Sequence, residues 1–139
     1  MRDHILGTLY GMALGDAMGM PSELLSRARI REIFGRIETF EDSPPENPAA
    51  IGLKKGEFTD DTAQALVILD SLMEHDYVPD KGIIAHNLLR WAVQTEAFEK
   101  NILGQSSKAV LHAVAHGEDP EPYTVTAVTN GAAMRIAPI

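Results

Sequence analysis

The stretch Thr59-Asp60-Asp61-Thr62-Ala63-Gln64-Ala65-Leu66-Val67-Ile68-Leu69-Asp70-Ser71-Leu72-Met73-Glu74-His75 decides how the rest of the chain is read. Ala65, Leu66, Ile68, Leu69 and Leu72 recur at the spacing that lines one face of an α-helix. The pattern predicts a helix over Thr62 to His75 with a hydroxyl and two neighbouring carboxylates at its start. Thr and Asp are common helix caps, and the macrodipole favours negative charge there. Two adjacent carboxylates also repel unless a cation lies between them, and hydroxyl and carboxylate oxygens suit magnesium or manganese rather than zinc. Both readings stand on these four residues alone.

Outward from this helix, helical spacing dominates. Towards the N-terminus, Ile5, Leu6, Leu9, Met12 and Ala13 predict a helix from Asp3 to Ala17, with Asp3 as its cap. Gly7, Gly11, Gly15 and Gly19 fall four apart and strip one side of it of bulk, at about 1 kcal/mol of helix propensity each. Such a stripe suits close approach by another helix or a ligand, and packing alone would account for Gly7 and Gly11. A short helix follows from Ser26 to Phe34, stopped by Gly35. Ile37 to Glu57, with Pro44, Pro45 and Pro48, reads as a long functional or mobile loop. On the C-terminal side, helices are expected from Pro79, in the first turn, to Thr95, and from Ser106 to His116, closed by Gly117 and Pro120. Residues 129–136 look like the opening of a further helix, after which the chain ends at Ala137-Pro138-Ile139. No alternating strand pattern occurs. The expected fold is all-α.

Composition narrows the function. The chain has 139 residues and a formal net charge of −8, which opposes unassisted binding to a nucleic-acid backbone. It has no cysteine, which excludes disulfides, thiolate catalysis and cysteine-zinc sites. No apolar run approaches the roughly 20 residues that span a bilayer, and the glycine-interrupted N-terminus lacks a signal peptide's core. A cytoplasmic protein that does not enter membranes is expected. If its ligand is phosphorylated, metal ions or helix N-termini must take up the negative charge.

Two further constellations carry chemistry. In Gly15-Asp16-Ala17-Met18-Gly19-Met20-Pro21-Ser22-Glu23, Gly19 and Pro21 end the first helix and the turn can present Glu23 to a cleft. There a carboxylate could orient water or exchange a proton. A surface glutamate after a helix end is the plainer account. In Asn130-Gly131-Ala132-Ala133-Met134-Arg135, small residues at a helix start leave N–H groups uncovered, which suits a phosphate. The same residues could equally be a helix capped by Asn130. Other features weigh less. His112 and His116 lack the Glu and third ligand of a zinc site and suit a solvated helix end. Trp91 and Phe98 suit a core, Ser106 and Ser107 suit caps, and the glycines follow no strand as a dinucleotide fingerprint would.

Taken together and in this order, the constellations resemble the ADP-ribosylglycohydrolase family across essentially the whole chain. Ile102-Leu103-Gly104-Gln105 is a weaker match. The resemblance implies a compact, orthogonal, multi-helix fold with two Mg2+ or Mn2+ ions in a central cleft, and one domain of which residues 1–139 form the N-terminal part. It makes Thr59, Asp60 and Asp61 metal ligands, and Glu23 the catalytic acid or base beside them. It places Asn130, Gly131 and Ala132 along the ADP-ribose phosphates, with Gly104 and Gln105 close by. The activity implied is hydrolysis of the bond between ADP-ribose and a protein side chain or small molecule. Family members take a second metal-binding cluster, of the Asp-x-Asp-Thr type, from a C-terminal half absent here. The expectation is therefore a partner in that half and an inactive isolated chain. Two rivals remain: a non-catalytic ADP-ribose-binding or structural relative, and a magnesium phosphohydrolase, which would usually show an Asp nucleophile after a strand.

Overall fold

A computed structural model describes residues 1–100, 102–137 and 139. Asn101 and Pro138, the latter within the closing Ala137-Pro138-Ile139, lie outside the described residues. Among the described residues there is no strand, as the periodicity predicts, and there are seven α-helices: α1 (Arg2–Gly19), α2 (Arg27–Phe34), α3 (Asp60–Glu74), α4 (Lys81–Gln94), α5 (Gln105–Ala115), α6 (Glu121–Val125) and α7 (Gly131–Met134). A 3-10 turn, Met20–Ser22, follows α1. No helix of the described residues is long and apolar enough to cross a membrane. The chain forms two compact units, Met1–Thr62 and Ala63–Ile139.

In the first unit, α1 outruns its expected bounds at both ends. Met1 occupies the cap position without a side-chain bond, so Asp3 lies in the first turn and is not the cap. Ala17 alone of this helix is buried, while Ile5 and Leu6 remain exposed. A Cβ added at Gly7, Gly11, Gly15 or Gly19 would meet nothing within 4 Å, so packing among the described residues does not explain the glycine stripe. Ser26 caps α2 by accepting from the Arg29 amide, and Gly35, at φ 64°, ends it in a conformation that disfavours a Cβ.

The long loop is irregular but anchored. Asn47 is fully buried; its Nδ2 donates to the Met20 carbonyl at 2.9 Å, and its Oδ1 accepts from the amides of Ala49 and Ala50. One side chain thus joins the turn after α1 to the middle of the loop. Arg29 of α2 adds a 2.7 Å bond from Nε to Glu46.

The second unit gathers around Leu88 and Ala92 of α4, Ala97, Leu103, and Leu111 of α5. Trp91 and Phe98 pack against this cluster, as expected. On α3, Ala65, Ile68 and Leu72 are buried, but Leu66 stays 36% exposed and does not join the inward face. Asp80 caps α4 through the Ile83 amide, which puts Pro79 outside the helix rather than in its first turn. Gly104 is the cap of α5, so Ser106 and Ser107 lie within the helix and do not cap it. His112 and His116 are exposed; the His112 ring lies against Phe98 with ring centroids 4.8 Å apart and the planes tilted by 46°. α6 is a helix that the periodicity does not show: Pro120, which closes the preceding helix in the sequence pattern, is its cap, and Pro122 stands in its first turn, where a proline costs no hydrogen bond.

Candidate active site

The first turn of α3 is assembled by a residue from another helix. Asp16, in the last turn of α1, accepts four hydrogen bonds from the Thr59-Asp60-Asp61-Thr62 segment. Its Oδ2 takes the amides of Thr59 at 3.0 Å and Thr62 at 3.1 Å, and the Thr62 hydroxyl at 2.7 Å. Its Oδ1 takes the Thr59 hydroxyl at 2.9 Å. Thr59 Oγ1 in turn accepts from the Asp61 amide at 3.2 Å. The Asp61 and Thr62 N–H groups in the first turn of α3, which have no partners within the helix, are thereby satisfied. Thr59 and Thr62 are buried, whereas Asp60 and Asp61 are only half-buried.

Sequence reasoning quoted Asp16 without giving it a role. A signal was present. A carboxylate in the last turn of a helix opposes the macrodipole and needs a compensating partner.

Glu23 follows the 3-10 turn, where its amide donates to the Met20 carbonyl at 3.3 Å and the Ser22 hydroxyl donates to the Gly19 carbonyl at 2.8 Å. The next residue, Leu24, is held at φ 57°, an uncommon conformation for a residue with a side chain. Glu23 is open to solvent, yet its carboxyl is raised above the ordinary glutamate value. Partial desolvation is the main cause, and the negative charges of Asp61 and then Asp16 add to it. Glu23, Asp61 and Asp16 therefore share one electrostatic neighbourhood.

The donors fit a hard divalent cation as part of a shell. Thr59 Oγ1 gives its hydrogen to Asp16 and one lone pair to Asp61 N–H, leaving a second lone pair. Asp60 and Asp61 add oxygen donors beside it. Asp16 has four donors already, so its part is to position the segment. Among the described residues no three His, Cys, Asp or Glu side chains come together to hold a metal ion by themselves.

In the second unit, a cavity of about 270 Å3 lies between the start of α5 and α7. Ser106, Ser107, Gly131, Ala132, Arg135 and the buried Gln64 of α3 are among its walls. Arg135 donates to Ser107 Oγ at 2.6 Å, tying α7 to α5. A Cβ on Gly131 would come within 3.0 Å of the Arg135 guanidinium, so glycine keeps this wall open. Asn130 holds the cap position of α7 without capping it. α7 is one turn long, so its end offers uncovered N–H groups but little of a long helix's dipole. Gly104 and Gln105 begin α5 and are exposed; Asn130 and these two are not among the cavity walls.

Comparison with known proteins gives this arrangement a context. The chain is 48% identical over 137 residues to a protein called YegU, itself uncharacterized, from Escherichia coli K12. That match spans 99% of this chain and 41% of the relative. It is 27% identical over 138 residues to ADP-ribosyl-[dinitrogen reductase] glycohydrolase from Rhodospirillum rubrum, covering 99% of this chain and 44% of that one. It is 29% identical over 144 residues to the ADP-ribosylarginine hydrolase Tri1 of Pseudomonas putida, covering 98% and 35%. The chain thus spans about two fifths of the length of these relatives. The sequence pattern of the family described as ADP-ribosylglycohydrolase matches residues 1–139 without remainder, and the chain belongs to that family.

Proposed function

We propose that this chain carries part of the active site of a metal-dependent hydrolase that releases ADP-ribose from a protein side chain or small molecule. The observation that carries the reading is the Asp16 clamp, which fixes Thr59, Asp60 and Asp61 at the head of α3 and brings the Asp61 charge to bear on Glu23. Thr59, Asp60 and Asp61 would hold the cation. When bound, Mg2+ or Mn2+ would supply charge to orient the ribose hydroxyls and lower the pKa of a water.

Glu23 takes the proton step. A carboxylate with a raised pKa is a better proton acceptor than an ordinary glutamate. Water adds to the anomeric carbon of the ribose as the bond to the leaving group breaks. Glu23 accepts the proton that the water loses, and that proton passes on to the leaving group, which restores the carboxylate. Asp60 and Asp61, committed to the cation, are poor candidates for that role. From the second unit, Gly131, Ala132 and Arg135 would line the phosphates of ADP-ribose, with Asn130, Gly104 and Gln105 nearby.

The relatives' additional length would complete the metal shell, so the 139-residue chain alone should release negligible ADP-ribose. The test combines the chain with the part of YegU that the match does not cover, and measures free ADP-ribose with Mg2+ present. In the complemented enzyme, Glu23→Gln should bind ADP-ribose near-normally and lose about 100-fold or more in turnover. Asp60→Ala and Asp61→Ala should weaken Mn2+ binding far more than they lower the melting temperature. Full turnover in Glu23→Gln would remove Glu23 from the mechanism. Release of AMP or phosphate in place of ADP-ribose would mean a phosphohydrolase.

A further inference from the structure

The turn that carries Glu23 is strained at its second corner. Glu23 has φ −58° and ψ 137°, and Leu24 follows at φ 57°. The Leu25 amide donates to the Ser22 carbonyl at 3.2 Å. These angles and that bond make residues 22–25 a type II turn, whose third position requires a positive φ and usually holds glycine. A leucine there brings its Cβ too close to the following carbonyl oxygen. Burial does not offset that cost, because Leu24 is 75% exposed. Asp76, Tyr77 and Glu96 also have positive φ, but they come just after α3 and α4, where a left-handed residue is a common helix ending. Leu24 instead follows a residue with extended ψ.

Glu23 stands at the first corner of this turn, between two anchored ends. On one side its amide bonds to the carbonyl of the buried Met20, which also accepts from Nδ2 of the buried Asn47. On the other side Leu25 leads into Ser26, the cap of α2, and α2 is tied to the long loop through Arg29 and Glu46. The chain has only Glu23 and Leu24 in which to reverse between these ends. With a right-handed or extended Leu24, the Leu25 amide would turn away from Ser22 and the corner would open, moving Glu23 relative to Asp61 and Asp16. We propose that Leu24 is a positioning residue for the proton step: its left-handed backbone, and not its side chain, holds Glu23 at the head of α3. The inference rests on the hydrolase reading, in which Glu23 takes that proton.

Substitutions at Leu24 separate backbone from side chain. Glycine and asparagine accept a left-handed backbone without the leucyl group, whereas valine keeps an apolar side chain and resists that backbone. ADP-ribose release is measured on the complemented enzyme with Mg2+, and hydrogen exchange of the Leu25 amide reports the turn. Leu24→Gly and Leu24→Asn should keep that amide protected and turnover within about threefold of the parent. Leu24→Val should expose the amide and lose about tenfold or more in kcat with KM little changed, at unchanged circular dichroism, because a displaced base costs mainly the transition state. A side chain that acted by apolar packing would instead rank valine above asparagine. Parent-like turnover in Leu24→Val, or a loss in Leu24→Gly as large as that in Leu24→Val, overturns the proposal while the hydrolase reading stands. No ADP-ribose from the parent, or full turnover in Glu23→Gln, overturns the proposal together with the assignment on which it rests.

Discussion

Asp16 shows how one side chain can organise a site it does not occupy chemically. Its carboxylate accepts four hydrogen bonds, three of them from groups at the buried positions Thr59 and Thr62 through a single oxygen. Asp16→Ala leaves those donors unanswered and should destabilise the chain on the order of 3 kcal/mol, measured by chemical denaturation. Asp16→Asn should recover less than half of that, because its NH2 would face donors instead of accepting from them. A loss smaller than that of an ordinary surface substitution would show that the clamp is not formed in solution. At this scale, legibility in the sequence was uneven. Thr59, Asp60, Asp61 and Glu23 stood out because they sit at a helix boundary or after a turn. Asp16 did not, because its partners lie more than 40 positions away, and no local pattern reports a contact across such a separation.

Helices were easiest to read where both ends carried their own punctuation. Ser26 and Gly35 bracket α2, and the structure uses both. α4 begins later than its sequence suggests, because Pro79 suits a first turn but Asp80 supplies the cap. That cap has a pH signature. The Asp80 carboxyl is held below its ordinary value, chiefly by the hydrogen bond from the Ile83 amide. A folded-state value below the unfolded one means that the unfolded chain binds the proton first as pH falls. The stabilisation is therefore present above the ordinary aspartate value and is lost as pH drops through the lower, folded one. Asp80→Asn can still cap α4 but cannot titrate. The difference in melting temperature between parent and variant should be constant near neutrality and shrink below about pH 4. A difference that does not change between neutral and acidic pH would show that the charge of Asp80 adds nothing to the cap.

At the scale of the molecule, each unit has its own support, and the second is the more apolar. Leu111 is 3% exposed within the cluster that holds Trp91, so Leu111→Ala should lower the stability read by tryptophan emission by about 3 kcal/mol. An unchanged denaturation midpoint would mean that this cluster does not hold the second unit together. Helical class was recoverable from periodicity because apolar spacing survives without knowledge of neighbours. The arrangement within each unit was not, since it depends on single buried polar residues such as Asn47 and Asn87, whose partners are remote in sequence.

The bare side of α1 has a thermodynamic consequence. With nothing within 4 Å of a Cβ at Gly7, Gly11 or Gly15, alanine would fit at each, and each exchange should raise helix stability by about 1 kcal/mol. A triple alanine variant with an unchanged or lower melting temperature would contradict this. Glycine at these sites holds the helix below the stability that alanine would give it within the described residues, a standing thermodynamic cost recorded in the atoms that α1 lacks.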